Sequence, residues 1–400
     1  MKKLLTLALF GGLFAATTLQ AQVNIYISGS TAFRANAWRA ITNLYGSNLT
    51  GQNPGGATAN NSGASLVTLT GTMPIFGGQQ VTIFLSWNGS AQGTHNLVNN
   101  DNISFLTNDF TGDIAQTNLI SHTVDLAFSD VFQNTTPFTS TTLTDTNVAV
   151  IPFCWVRSAG APTNLVNITI QQLQECWSVG TIPLSYFTGN TNDGSTNIFF
   201  TGRNKDSGSR LTAASDGLVI GTPSIFWVTN NGSAFVWAKM TANFIANGVN
   251  YGPGFSSGGT EAGVLALSGT ATNGFGLGYE GYPDARTAVI NGGQIINYDG
   301  ATPLVYSNNV ALPGSIGQLP NSPDWSPIIN GKYSFWSYEH LFMRPGLSGN
   351  IPTFWSALAG GVDNDLATVE ANASSSTPVI AIRLSEMKVA RPADGGPIHP

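Results

Sequence analysis

The chain has 400 residues, with 15 Lys and Arg against 21 Asp and Glu, so its net charge is −6. Charged residues make up 9 % of it, against roughly 25 % in an average globular protein, while 42 % is hydrophobic and 22 Phe, 10 Tyr and 9 Trp can build a core. That aromatic content excludes a disordered chain, and the weak acidity excludes the basic stripe of a nucleic-acid binder. The length leaves room for about two or three domains, and 46 Gly with so little charge fit an exported protein rich in tight turns or one made mostly of β-structure.

The first residues read as a secretory signal peptide over 1–21. Met1, Lys2 and Lys3 are a short basic stretch, 4–16 is apolar, and small residues lead to Ala21 with cleavage before Gln22. The apolar run is shorter than the ~20 residues a bilayer span needs, and no later stretch reaches that length. No Cys stands beside the cleavage site for a lipid anchor, so the expectation is a soluble periplasmic or extracellular protein. Cys154 and Cys176 are the two cysteines; an oxidising compartment permits a bridge between them, and both also fit as small buried hydrophobes. His95, His122, His340 and His399 are scattered without ligand spacing, so neither a metal site nor a cofactor is expected.

Val23, Ile25 and Ile27 alternate as in a strand, which ends in a turn at Gly29 and Ser30. Phe33, Ala37, Ile41 and Leu44 recur at helical steps, and Gly46 closes that helix. Residues 51–65, rich in Gly, Asn and Ala, read as a loop or insert. Strands follow over 67–69 and 81–85, on either side of Gly77 and Gly78, and the second runs into a turn and helix at 87–94. A short strand over 124–129 ends at the polar Asp130. The run 147–156 is almost wholly apolar, as in a strand buried on both faces. Thr169 and Gln172 form a capping box that opens a helix through Trp177. Ile198, Phe199 and Phe200 lead into a loop and helix over 201–210, and 274–279 reads as another buried strand. Strands alternating with helices predict an α/β fold with largely parallel sheets.

Three of these junctions share one chemistry. Gly29-Ser30-Thr31, Gly89-Ser90 and Ser207-Gly208-Ser209 each place Gly with Ser or Thr between a strand and a helix start. The first backbone N–H groups of a helix lack internal partners and sit at the positive end of its dipole, which suits an anion. Ser and Thr at such places are also ordinary helix caps. Arg203, four residues before Ser207, adds a guanidinium that can pair with an oxyanion in two places at once, or serve in a surface ion pair. Asp130 acts in the opposite sense: a carboxylate repels a fully deprotonated anion and accepts a hydrogen bond from a protonated one, which favours phosphate over sulfate, while taken alone it reads as a turn or cap residue.

Together these residues resemble the phosphate-binding proteins of phosphate ABC importers, a branch of the type 2 periplasmic binding proteins. The resemblance is carried by Ile27-Ser28-Gly29-Ser30-Thr31-Ala32-Phe33, by Gly89-Ser90, by Asp125-Leu126-Ala127-Phe128-Ser129-Asp130 and by Arg203-Asn204-Lys205-Asp206-Ser207-Gly208-Ser209. The late segments 276–282 and 331–336 look like the family's late strands. The resemblance implies two α/β lobes, each a mixed, mostly parallel sheet flanked by helices, with ligand in the cleft between them. It implies lobe 1 over 22–150 and 337–400, lobe 2 over 151–336, and chain crossings near 148–156 and 333–336. It also implies that Ser30, Thr31, Ala32, Phe33 and Ser90 bind phosphate from one lobe, with Asp130 accepting its proton. Arg203, Ser207, Gly208 and Ser209 would then clamp it from the other. Two positions depart from the family's pattern: Lys205 stands where an Asp is usual, with Asp at 206, and Arg34 follows the first loop.

The function implied is a monomeric, non-enzymatic, exported receptor. It would deliver inorganic phosphate or a similar oxyanion to an ABC permease in the membrane, with no nucleic-acid partner. Three other readings stand beside it. One keeps the fold and takes another oxyanion or a phosphorylated small molecule. One is an extracellular structural or adhesive protein. One is an enzyme, for which the sequence offers neither a Gly-x-Ser-x-Gly elbow after a strand nor a His close to the Ser-rich loops.

Overall fold

The computed structural model describes residues 22–107, 117–241, 245–246, 249–250, 253–267, 271–305 and 319–400. The predicted signal peptide lies outside the described residues. None of the described helices is long and apolar enough to cross a membrane.

The alternating residues of the first strand, Val23–Gly29, set the frame. The strand lies in parallel between Gln79–Ser86 and Leu126–Ser129, with Ile27 level with both Leu85 and Leu126. Leu66–Met73 and then Leu49–Asn53 extend that side in antiparallel fashion. On the other side, Trp336–Met343 runs antiparallel to Leu126–Ser129. The fold is α/β, as expected, but the sheet is mixed rather than mostly parallel. Two hairpin-like edges and the late strand running beside its neighbours in reverse account for the difference.

The apolar run predicted to be buried on both faces is the long strand Thr144–Arg157. It joins two sections of sheet: residues 144–152 pair with Trp336–Met343, and residues 153–157 pair with Phe275–Gly281 and Gln294–Tyr298. Phe275–Gly281 in turn runs parallel to Asn197–Phe200. Trp155, in the far half of the long strand, is wholly buried, with the rings of Tyr279, Phe335 and Tyr298 centred 5.4, 5.4 and 5.8 Å away. Aromatic rings at such separations add attraction to the area that they bury.

Helices cover the sheet where their apolar stripes dictate. Ala37, Ala40, Ile41 and Tyr45 line one face of Arg34–Tyr45, which packs beside Asn350–Ala371 through Phe354, Leu358, Val362 and Leu366. Arg39 pairs with the buried Asp365 at 3.2 Å along that seam. The capping box forms in full: Gln172 N donates to Thr169 Oγ1 at 3.2 Å and Thr169 N to Gln172 Oε1 at 2.8 Å.

Three expectations are corrected. The stretch 51–65 is not loop throughout: its first residues belong to the strand Leu49–Asn53, because Gly51, Gln52 and Asn53 turn inward and pair with Leu66–Met73. The rest is tied to Gln52, whose Nε2 donates to the carbonyls of Ala57 and Ala59. The segment 331–336 contributes only Trp336 to a strand, since Gly331 has φ +73° and breaks the extended backbone. Cys154 and Cys176 are free thiols rather than a bridge: one is buried in the long strand and the other in the helix Ile170–Val179.

Candidate functional site

In an open sheet, parallel strands place their C-terminal ends, and the helix starts that follow, along one rim. Here two such sets face each other. From the first set the chain leaves through 30–33 into the helix Arg34–Tyr45, through 87–89 into Ser90–Asn99, and through Asp130 and Val131. From the second set, Asn197–Phe200 leads through 201–207 into Gly208–Asp216, and Phe275–Gly281 leads directly into Tyr282–Ile290.

Glycine is required where these segments touch. Gly29 has φ +115°, and a Cβ there would lie 1.9 Å from the carbonyl oxygen of Phe128. This lets Ser30 N donate to that oxygen at 2.8 Å. Across the site, a Cβ on Gly208 would lie 1.6 Å from Asp130 Oδ1 and 3.0 Å from Ser90 Cβ. Ala91 N donates to Asp206 O at 3.1 Å. The two rims are therefore in contact, with backbone against carboxylate.

The side chains converge in the same place. Arg203 is 1 % exposed; its Nη2 donates to Thr31 Oγ1 at 3.2 Å and to Ser256 O at 3.0 Å, and its Nε donates to Phe255 O at 3.2 Å. It forms no ion pair within 4 Å among the described residues, so it is not the partner of a surface carboxylate. Ser90 Oγ donates to Asp130 Oδ1, and Asp130 N donates to Ser90 Oγ at 3.3 Å. Ser207 Oγ lies 3.4 Å from Ser209 Oγ, both residues buried. Ser207 makes no side-chain cap bond to its helix, and Ser90 turns its hydroxyl to Asp130, so capping does not account for either.

The structure thus brings Thr31, Ser90, Asp130, Arg203 and Gly208 together, with Ser207 and Ser209 alongside. The remaining members of the first loop are placed differently. Ser30 Oγ accepts from Phe33 N at 3.2 Å, so that amide is already engaged. Phe33 packs on Phe128 with ring centres 5.5 Å apart, and Ala32 lies against Gly281.

Several ionisable groups that no local motif marks surround this set. Arg34 is half-buried near Asp284 and Arg203; burial lowers its pKa. Glu261, Glu280 and Asp284 lie in the field of Arg203 from the second set of elements. Glu339, wholly buried on Trp336–Met343, lies beside Asp130 and Ser30. Burial raises the pKa of each carboxyl. Asp130 rises to about 6, held back by the Ser90 bond and by Arg203. Glu261 rises to about 8, and Glu280 and Glu339 stand well above the usual range. Neither oxygen of Glu280 has a hydrogen-bond partner among the described residues.

Burial thus disfavours charge on Glu261, Glu280, Asp284 and Glu339, while Asp130, at about 6, is ionised at neutral pH in the field of Arg203. Two guanidinium groups, four hydroxyls and two helix starts, with the Asp130 carboxylate as acceptor, make a set whose chemistry suits an oxyanion that still carries a proton. A signal for one of these acids lies in the sequence all the same: Glu280 is a single charge inside the otherwise uncharged strand Phe275–Gly281, a costly placement. Lys205 turns outward and pairs with Asp206 at 2.8 Å, leaving the carboxyls around Arg203 to come from other elements.

No family model matches the chain, and no curated protein matches it. Solved structures are similar at a distance. A substrate-binding protein assigned to a phosphate ABC transporter of Clostridium perfringens, with bound phosphate, is 12 % identical over 90 % of this chain and 99 % of its own, with a TM-score of 0.46. An ABC-type phosphate transport receptor from Vibrio cholerae is 12 % identical over 86 % of this chain and 97 % of its own, with a TM-score of 0.45. The regulatory domain of CcmR from Synechocystis, in complex with 2-PG, is 11 % identical over 86 % and 99 %, with a TM-score of 0.41.

Proposed function

We propose that the protein is an exported, non-enzymatic receptor that captures inorganic phosphate and delivers it to an ABC permease, working as a monomer without a cofactor. In this reading, residues 22–150 with 337–400 form one lobe and 151–336 the other, and the long strand Thr144–Arg157 carries the chain between them. Thr31 and Ser90 hold the anion from the first lobe, and Arg203, Ser207, Gly208 and Ser209 hold it from the second. Ser30, Ala32 and Phe33 shape the first loop, and Asp130 accepts the phosphate proton. The observation that carries this reading is the meeting of Arg203 with Thr31, and of Gly208 with Asp130 and Ser90, across two opposed sets of strand ends.

A second reading keeps the site and changes the ligand to a phosphorylated small molecule or another oxyanion. It is favoured by Arg34, a second guanidinium beside Arg203 that gives a larger anion another contact.

The test is thermal unfolding of protein that has been unfolded and refolded free of anion, with phosphate, sulfate or neither. A ligand that binds only the folded state stabilises it by ~4.1 kcal/mol at a thousand times its dissociation constant. Phosphate is expected to raise the midpoint and sulfate is not; a rise with both would transfer the site to oxyanions in general. Arg203→Ala is expected to abolish the shift, because losing one partner of a buried charge-assisted pair costs about 2–5 kcal/mol. An unchanged shift in that variant removes Arg203 from the site.

A further inference from the structure

Residues 388–399 belong to no strand or helix of the sheet, yet they are firmly held. They double back on themselves, with Ala390 N donating to His399 O at 2.8 Å and His399 N to Ala390 O at 2.9 Å. Lys388 N donates to Ile329 O at 3.1 Å, and Val389 and Ile398 close on Gly331. Between those ends lie two buried charged residues that reach in different directions.

Arg391 is 4 % exposed; its guanidinium lies 3.9 Å from the centre of the Trp336 ring and donates through Nη2 to Ser334 O. Its Nη1 is 3.7 Å from Oδ1 of Asp216, the last residue of the helix Gly208–Asp216. Gly395, at φ +66°, seats the segment on the same turn: a Cβ there would lie 2.4 Å from the carbonyl of Ser215. Asp394 reaches the other way. Its Oδ2 accepts from Phe132 N at 2.9 Å and from Thr135 Oγ1 at 2.6 Å, just beyond Asp130.

We propose that 388–399 is a latch that ties the Asp130 side of the anion site to the far end of the helix whose first residues are Gly208 and Ser209. The inference rests on the reading of those two rims as the two walls of a binding cleft. That helix is then held at both ends. Gly208 is pressed on Asp130 and Ser90 at its start, and Asp216 is tied through Arg391 and Asp394 to 132–135 at its finish. Moving the walls apart breaks one anchor or the other, and each holds a buried charged residue, Asp130 at one and Arg391 with Asp394 at the other. Closure by a hinge alone is driven by the ligand; here the chain itself supports the closed form, so ligand exchange waits on release of the latch. Trp336 and Ser334 lie where the chain returns between the walls, so Arg391 grips the crossing as well as the helix.

The experiment loads the protein with radiolabelled inorganic phosphate and follows release into excess unlabelled phosphate. It compares the native chain with Asp394→Ala, Arg391→Gln and the double variant. Each single change is expected to speed release at least about tenfold, because removing one partner of a hydrogen-bonded charged contact acts on the off-rate. The double variant should be little faster than the quicker single one, since freeing either end frees the latch. Release within twofold of the native rate in both single variants overturns the proposal. Amide hydrogen exchange supplies a readout independent of ligand: the helix Gly208–Asp216 should exchange faster in the variants while Arg34–Tyr45 does not. Equal acceleration in both helices means general loosening and also overturns the latch. If the native protein takes up no phosphate, the reading of the site fails, and the exchange pattern alone decides on the latch.

Discussion

Asp130 shows how the burial of one carboxyl ties stability to pH. Burial raises its carboxyl to about 6 in the folded protein, while the unfolded chain titrates near the ordinary value of 3.8. Between those values the folded state holds more protons, so this group lowers stability as pH rises, and its full cost is present above pH 6. Asp130→Asn, measured without anion, should therefore raise stability at pH 7 by on the order of 3 kcal/mol, with the gain fading to nothing by about pH 4. Midpoints for both proteins across pH 4–8 check this, and a gain independent of pH would contradict it. The same variant should narrow the ratio of phosphate to sulfate affinity, read by calorimetry, since an amide no longer repels sulfate. The acidic character of this position was legible in the sequence. Its partner Glu339 was not, because no local motif brings residue 339 beside residue 130; the antiparallel pairing of Trp336–Met343 with Leu126–Ser129 does so.

Elements decide how closely the two rims approach. Each of the three junctions shows a local sequence pattern of strand, small residues and helix, and each folds as that pattern predicts. What the pattern does not specify is which junctions meet. Gly208 reads as an ordinary helix-start glycine, yet its missing side chain is where the Asp130 carboxylate sits. Gly208→Ala is expected to cost roughly 1–3 kcal/mol of stability, as overpacking does, and to weaken phosphate binding because the helix start must retreat from Asp130. Denaturant unfolding and phosphate titration of one preparation would measure both effects, and native values in both would place the helix farther from Asp130. Gly93 allows a similar close approach behind the site: a Cβ there would lie 2.6 Å from Gly29 Cα, so the helix Ser90–Asn99 rests directly on the first strand and its start is fixed over the strand ends.

At the scale of the whole molecule, the long strand Thr144–Arg157 unites the two sections of sheet, and Trp155 anchors its far half. Trp155→Ala should destabilise the fold by about 3–5 kcal/mol, the usual cost of emptying a large buried aromatic site. Chemical denaturation followed by tryptophan fluorescence measures it, and a loss below about 1 kcal/mol would mean that the aromatic cluster adds little beyond surface burial.

The elements near the site could be read from the amino-acid order alone, because hydrophobic period, caps and turns are local properties of ten or so neighbouring residues. The strand-to-helix junctions at 29–33, 89–90 and 203–209 were legible for the same reason. The folded chain was needed to establish that the sheet is mixed, that Cys154 and Cys176 stay apart as thiols, and that Arg34, Glu261, Glu280 and Asp284 gather around Arg203. It was needed also to bring Asp394 to Phe132 across 262 positions of sequence. Such pairings depend on strand register and chain crossings, which couple residues far apart in the chain. The protonation of the buried acids depends on solvent exclusion by every element packed around them, which no single segment encodes.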